Sequence, residues 1–171
     1  MKPTLYYIHD PMCSWCWGFR PVWHQVQKNV KDRVTIRPLL GGLAPDDEQP
    51  MSESMQKNIQ DNWKRIQQTI PGTKFNDDFW EVCTPRRSTY PACRAVIAAG
   101  LQDGQFAEKM LLAIQQAYYL YARNPSDDPV LIQLAKEIGL DGRQFKIDLS
   151  SERCKLLLKE ELQQVANLGV S

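Results

Sequence analysis

The sequence predicts an α/β fold in which a short βαβ unit is followed by a long all-helical region. Two apolar segments with the pattern of strands lie at residues 5–8 and 34–40, with one amphipathic helical stretch between them. From residue 46 to residue 168 the apolar residues recur at intervals of three and four, which is the spacing of helices. A chain of 171 residues, of which 43% are hydrophobic, is long enough to bury the core of such a fold.

The βαβ unit is predicted from its three elements in chain order. Leu5–Ile8 is a short apolar run before the turn-forming pair Asp10-Pro11, which indicates a buried strand. The helix that follows is expected to begin near Cys13. Its apolar face consists of Phe19, Trp23, Val26 and Val30. Residues 34–40 then alternate and stop at two glycines, so a second strand is predicted there, parallel to the first through a right-handed crossover.

The all-helical region begins after a polar loop at residues 45–54. Its first helix is predicted by apolar residues at helical spacing from Met55 to Ile70, and it ends at a Pro-Gly pair. Ser88 or Thr89 is expected to cap a second helix that contains the apolar run 92–99. Further helices are predicted at 106–121, 127–138, 141–149 and 151–168, the last one capped by Ser150 or Ser151.

Composition and charge exclude several classes of function. The formal net charge is +1, from 21 basic and 20 acidic residues, which gives no electrostatic basis for binding nucleic acid or an anionic membrane. No uninterrupted apolar run is long enough to predict a membrane-spanning helix. The first residues lack the basic region, long apolar run and cleavage site of a secretory leader, so we expect a cytoplasmic location.

The cysteines provide one motif. Their positions are 13, 16, 83, 93 and 154, and only the first two have a motif spacing. In a reducing compartment the other three are expected to be thiols, not members of structural disulfides.

Cys13 and Cys16 are separated by two residues at the point where the first strand ends and the first helix begins. A thiol at the N-terminus of a helix lies near unpaired N–H groups and the positive end of the dipole, and both favour the thiolate. We therefore expect the pKa of Cys13 to lie below the roughly 8.5 of a free cysteine. Three residues make nearly one helical turn, which places Cys16 within bridging distance. The pattern predicts a redox pair in which Cys13 attacks a substrate disulfide and Cys16 resolves the mixed disulfide.

Three neighbouring residues are candidates for adjusting this pair. Ser14 and Trp15 lie between the cysteines and are expected to tune the thiolate. Trp15 is also expected to be exposed, where it is available for contact with a substrate. His9 lies four residues before Cys13 at the end of the first strand. Because its pKa is ordinarily near neutrality, His9 either stabilises the thiolate as a cation or ends the strand with its ring in solvent.

Two other interpretations of the cysteine pair stay open at this level. One is a structural zinc site, which takes four ligands, whereas the pair supplies two. The remaining ligands would come from Cys83, Cys93, His9 or His24. No second pair with motif spacing is present, so we expect no metal. The other interpretation is two unrelated buried thiols.

The segment HDPMCSWCWGF (9–19) resembles the active-site segment of the DsbA-like thiol–disulfide oxidoreductases, in the bacterial branch described as predicted protein-disulfide isomerases. Three further segments resemble later parts of the same proteins, in the same order: RRSTYPACRAVIAA (86–99), DDPVLIQLAKEIGLDGRQF (127–145) and VANLGVS (165–171). The resemblance implies a thioredoxin fold with an inserted helical domain, and dithiol–disulfide exchange on protein or peptide substrates. By position it makes Cys13 the nucleophile and Cys16 the resolving cysteine.

The resemblance also implies a division of the chain. Residues 1–45 form the N-terminal βαβ part of a thioredoxin-like domain, 46–168 form the helical insertion domain, and 169–171 begin the C-terminal part. In the family, a cis-proline loop, two strands and a helix follow, so we expect these to be absent from this chain and the native polypeptide to continue. A two-stranded sheet leaves edges exposed, and a homodimer through such an edge is the alternative.

The sequence therefore predicts a cytoplasmic oxidoreductase or isomerase that acts on protein or peptide thiols and disulfides. Apart from its redox-active disulfide it is expected to need no cofactor, with glutathione as a candidate co-substrate. A glutathione-dependent transferase or isomerase of the same fold is one alternative, although such proteins typically have serine in place of Cys13. A non-catalytic metal-binding module is the other. The dithiol alone leaves open whether the protein oxidises, reduces or isomerises its substrates.

Overall fold

The computed structural model of the chain describes residues 2–170. Within that range it has two strands and eight helices. In chain order they are β1 (Thr4–His9), α1 (Ser14–Val30), β2 (Thr35–Leu40), α2 (Glu53–Thr69), α3 (Phe79–Val82), α4 (Tyr90–Gln102), α5 (Gln105–Tyr119), α6 (Asp128–Glu137), α7 (Gly142–Ser150) and α8 (Glu152–Asn167). The predicted α/β fold, with two parallel strands and a large helical region, is confirmed.

The two strands pair in parallel and are joined by α1. Thr4 lies opposite Thr35, and His9 lies opposite Leu40, so both strands end at the same edge of the sheet. The turn from β1 into α1 and the loop after β2 therefore start side by side. In the described part of the chain each strand has one neighbour, and its other edge is free. Pairing of two copies through such an edge remains a prediction.

Helix α1 packs closely against α2 at Gly18, which is buried. A Cβ atom at this position would lie 2.9 Å from Cγ2 of Ile66 and 3.1 Å from Cδ1 of Ile70. Both distances are shorter than ordinary van der Waals contacts, so a larger residue here would have to displace its neighbours. The glycine thus allows the first turns of α1 to lie against α2.

The main hydrophobic core lies among helices α4 to α8. Its fully buried side chains include Met110, Ile114, Leu131 and Phe145. Leu40, the last residue of β2, belongs to the same core. Its N–H donates a hydrogen bond of 2.7 Å to Oε2 of Glu161 on α8, so this helix connects the helical region to the sheet. The domain boundaries at 45 and 168 stay predictions, and Ser171 of the segment 169–171 lies outside the described residues.

A second cluster surrounds the indole of Trp63 on α2. Five aromatic rings have centroids 4.8 to 6.3 Å from that indole. They belong to Phe75, Phe79, Trp80, Tyr118 and Tyr119. Two of these rings come from α3, which the sequence pattern does not predict because four residues are too few to show a helical repeat.

The starts of two helices test the predicted caps. Ser151 caps α8 as predicted, because its hydroxyl accepts the N–H of Cys154 at 3.1 Å. Thr89 occupies the N-cap position of α4, but no N–H of the helix bonds to its side chain. Its hydroxyl donates instead to the carboxylate of Asp10 at 2.7 Å. The predicted position is right and the predicted capping bond is wrong, because the hydroxyl oxygen accepts the N–H of Ala44 at 3.2 Å and no N–H of α4.

Replacing Gly18 with alanine should destabilise the protein. Alanine improves the helix propensity of α1 by roughly 0.5–1 kcal/mol, while crowding against two packed isoleucine side chains costs about 1–3 kcal/mol. We expect a net loss of about 1–2 kcal/mol in the free energy of unfolding, measured by urea denaturation.

The matched control is Gly104→Ala, since no atom lies within 4 Å of an added Cβ there and the backbone φ is −54°. Its effect should stay within about 0.5 kcal/mol. Equal stabilities of the two variants would contradict the close approach at Gly18.

Candidate active site

Cys13 is the N-cap residue of α1. Its backbone is extended, with φ −77° and ψ 111°, and its sulfur accepts a hydrogen bond from the N–H of Cys16 at 3.3 Å. The N–H of Cys13 donates to the carbonyl of Asp10 at 3.1 Å, which closes the turn that leads from β1 into the helix. The sulfur therefore lies at the positive end of α1, where the sequence placed it.

The two motif cysteines differ in acidity. Both are free thiols and both are partly buried. The pKa of Cys13 is lowered, chiefly because the Cys16 thiol donates a hydrogen bond to its sulfur; burial opposes this, and the N–H of Cys16 reinforces it. The pKa of Cys16 is raised because it donates that bond and because it is buried. This difference favours the thiolate on Cys13, which makes Cys13 the better nucleophile, and it favours the protonated form of Cys16.

The two residues between the cysteines have different surroundings. The hydroxyl of Ser14 accepts a hydrogen bond from Nε1 of Trp63 at 2.9 Å, so it is bonded to the aromatic cluster. Trp15 is 41% exposed and lines a cavity next to Cys13. Its exposure agrees with the prediction, while its contact with a substrate stays a prediction.

His9 is neither a cation beside the thiolate nor a ring exposed to solvent, which were the two predicted states. Its side chain is only 6% exposed, so the ring is not in solvent, and it stacks on the ring of Tyr7 at 5.3 Å. Burial and then the charge of Arg20 lower its pKa to about 4. Its imidazole is therefore neutral at pH 7, and a cationic role beside the thiolate does not fit this environment.

A cavity of about 260 Å³ lies next to Cys13. Besides Trp15, its apolar wall comes from five side chains: Met12, Leu43, Met51, Ile59 and Tyr118. Its polar wall includes Asn62, Arg86 and Arg87. Arg86 is paired with Asp127 at 2.8 Å, whereas Arg87 is exposed and forms no ion pair within residues 2–170. The cavity thus combines an apolar surface, one free guanidinium and the reactive sulfur.

Asp10 is a site residue that the sequence pattern does not identify. It is 2% exposed, and its carboxylate accepts hydrogen bonds from four groups. They are the N–H of Met12 at 2.7 Å, the N–H of Leu43 at 2.8 Å, the hydroxyl of Thr89 at 2.7 Å and the thiol of Cys93 at 3.6 Å. Burial raises its pKa. An Asp-Pro pair after a strand is typical of a turn, so the sequence gives no reason to assign it to the site. The one signal that could have identified Asp10 is its position three residues before Cys13.

The alternative metal site has no ligand set in the described part of the chain. No group of three or more His, Cys, Asp or Glu side chains among residues 2–170 is placed to hold a metal ion. Two of the candidate ligands have other partners, since the Cys83 thiol donates to the carbonyl of Ala122 and the Cys93 thiol to Asp10. Across the same range, no helix has both the length and the apolar character needed to span a membrane.

The known proteins that this chain resembles are of two kinds: curated relatives, matched by sequence, and solved structures, matched by fold. The ClpXP adapter protein SpxH of Halalkalibacterium halodurans is 27% identical over 99% of this chain, and that of Bacillus subtilis is 26% identical over 99%. The chain spans 56% of the length of each of these two proteins. Among solved structures, a candidate protein disulfide isomerase from Nitrosomonas europaea is 30% identical, with a TM-score of 0.85, over 100% of this chain and 81% of that one.

The cytosolic disulfide reductase DsbM from Pseudomonas aeruginosa is 29% identical, with a TM-score of 0.78, over 98% of this chain and 80% of that one. Its structure with GSH is 28% identical, with a TM-score of 0.76, over 98% of this chain and 82% of that one. A family model described as thioredoxin matches residues 6–171, which includes the cysteine pair and all the helices. Both the fold and this match agree with the resemblance of the active-site segment, and the chain belongs to the thioredoxin family, among its DsbA-like members.

Proposed function

We propose that this chain exchanges thiols and disulfides with protein or peptide substrates, with Cys13 as the attacking and Cys16 as the resolving cysteine. One observation carries the proposal: the Cys13 sulfur lies at the N-terminus of α1 and accepts the N–H of Cys16 at 3.3 Å. This arrangement favours a thiolate on one sulfur and supplies a second sulfur within reach of it.

In the reducing direction, the Cys13 thiolate attacks one sulfur of a substrate disulfide. A mixed disulfide forms, and the other substrate sulfur leaves as a thiolate that takes up a proton. Cys16 then loses its proton and attacks the Cys13 sulfur, which releases the second substrate sulfur and leaves a Cys13–Cys16 disulfide. Two electrons pass from the pair to the substrate. The same steps in reverse oxidise a substrate dithiol.

The cavity next to Cys13 supports a peptide-sized substrate and glutathione as co-substrate. Its apolar wall suits the side chains that flank a substrate cysteine, and the free guanidinium of Arg87 suits a carboxylate. The relative DsbM has a structure with GSH, which agrees with this assignment. A cytoplasmic location is part of the proposal, and the description of DsbM as a cytosolic disulfide reductase supports it.

An adapter function is the second candidate, because the curated relatives are ClpXP adapter proteins. Delivery of a substrate to ClpXP would depend on a binding surface and would need no thiolate. The two functions are therefore separable: a variant without Cys13 and Cys16 should lose disulfide exchange and keep any adapter activity.

Replacing Cys13 with serine should abolish exchange. A hydroxyl at this position cannot form the mixed disulfide, so the rate of reduction of a peptide disulfide by this protein should fall by at least about 100-fold. The measurement is the release of substrate thiols followed at pH 7 with glutathione as reductant.

Cys83→Ser is the matched control, since Cys83 is also a partly buried free thiol but donates to the carbonyl of Ala122 outside the motif. It should keep the rate within about twofold. Unchanged exchange in Cys13→Ser would rule the proposal out.

The pH dependence of Cys13 alkylation tests the assigned acidities. Because the folded protein lowers the pKa of Cys13, its reaction with iodoacetamide should accelerate as pH rises through a midpoint below that of a free cysteine, then level off. The Cys16 thiol is the largest cause of the lowered pKa, so Cys16→Ala should move the midpoint to higher pH. Cys16→Ser keeps a hydroxyl donor and should move it less. A midpoint that is the same in all three proteins would contradict the hydrogen bond between the two cysteines.

Replacing Arg87 with alanine should weaken glutathione binding without changing the chemistry. We expect the KM for glutathione disulfide to rise about three- to tenfold, because a charged hydrogen bond to a carboxylate is lost at an exposed site. The turnover number should stay within about twofold, because the proposed role of Arg87 is to bind the carboxylate and not to take part in the exchange step. Arg153→Ala, which removes an exposed arginine from α8, is the control and should leave both constants unchanged. Equal KM values for the two variants would remove Arg87 from the substrate site.

A further inference from the structure

The carboxylate of Asp10 is buried without a cation. It forms no ion pair in the described part of the chain, and its four hydrogen bonds come from uncharged donors. The titratable groups that face it are three thiols and two phenols. They are Cys13 and Cys16 of α1, Cys93 of α4, and Tyr118 and Tyr119 of α5. None of these five groups becomes positive on titration, so none of them compensates a negative charge on Asp10.

This carboxylate lies close to the reactive sulfur. The carbonyl of Asp10 accepts the N–H of Cys13 at 3.1 Å, and its Oδ1 accepts the N–H of the residue just before Cys13. Three of its four partners, Met12, Leu43 and Thr89, line the same cavity as Cys13. The bonds come from the turn before α1, the loop after β2 and the start of α4, so the charge is held in one place.

Two opposing influences therefore act on the Cys13 sulfur. The helix N-terminus and the Cys16 thiol favour a negative charge there, and the negative charge of Asp10 disfavours it. Weak solvent screening makes the interaction between buried charges longer in range than between exposed ones. A thiolate exists in the dithiol form and not in the disulfide form, so a group that disfavours the thiolate also disfavours the reduced protein.

We propose that Asp10 is a positioning residue that sets the reduction potential of the Cys13–Cys16 pair, because its ionised carboxylate destabilises the reduced form and makes the pair a stronger reductant. This inference rests on the proposed exchange function and assigns it a direction: the protein is poised to reduce disulfides. The equilibrium concerned is protein disulfide plus two glutathione thiols, which gives protein dithiol plus glutathione disulfide. Two electrons and two protons pass from the two glutathione thiols to the protein pair.

The potential is measured by equilibrating the full chain with mixtures of reduced and oxidised glutathione and alkylating the thiols for mass analysis. In Asp10→Asn the equilibrium constant for reduction of the pair should rise about tenfold, a potential about 30 mV less negative. Asp10→Glu keeps the charge, and its potential should stay close to that of the wild type. Asp32→Asn removes one exposed carboxylate from the turn after α1 and should leave the potential unchanged.

The comparison of these variants separates charge from structure. If the folded Asp10→Asn protein has the wild-type potential, or if Asp10→Glu shifts it as much as Asp10→Asn, the inference is wrong. A measurement on the wild type covers the case in which Asp10→Asn does not fold: the ¹³C resonance of the Asp10 carboxyl group at pH 7. An ionised carboxylate in the disulfide form supports the inference, and a protonated one overturns it.

The experiment also distinguishes this inference from the proposed function. If the wild-type pair forms no disulfide in any glutathione mixture, the exchange function itself fails. If the pair forms a disulfide and the Asn variant has an unchanged potential, only the role of Asp10 fails.

Discussion

The hydrogen bonds that the Cys13 sulfur receives at the start of α1 are the interaction on which the site depends. The N–H of Cys16 donates to this sulfur at 3.3 Å, because Cys13 is the N-cap residue and the helix begins immediately after it. The Cys16 side chain lowers the pKa of Cys13 further. That position in turn requires β1 to end where it does and α1 to lie against α2, which only a glycine at position 18 permits without displacing Ile66. A change in the backbone around Cys13 would therefore alter the acidity of both cysteines.

The surroundings of the pair come from both parts of the chain. Trp63 of α2 holds Ser14 through its indole N–H, and Thr89 at the start of α4 donates to Asp10. The βαβ part thus supplies the sulfurs, while the helical region supplies most of the cavity wall and two of the four donors to the buried carboxylate. The helical region and the redox motif therefore form one site, although they are separate in the sequence.

Membership of the thioredoxin family does not by itself fix what such a site does. The relatives include a disulfide reductase and adapter proteins, with similar identities to this chain. The proposed exchange needs a thiolate on Cys13, whereas delivery of a substrate would need none. On the proposed role of Asp10, the stability of that thiolate is a balance between the helix N-terminus, which favours it, and the buried carboxylate, which disfavours it.

The sequence by itself determined the order of the elements except α3, the parallel βαβ unit and the place of Cys13 at a helix start, because each of these follows from local periodicity and from one short motif. It left three things undetermined. The first is the neutral state of His9, which depends on burial beside Tyr7 and on the charge of Arg20. The second is the partner of the Thr89 hydroxyl, which donates to Asp10 and does not cap its own helix. The third is the burial of the Asp10 carboxylate, whose hydrogen-bond donors lie up to 83 positions away in the sequence. Burial, and the competition among buried groups for hydrogen-bond partners, arise only when distant segments pack together, so the tertiary structure alone decided them.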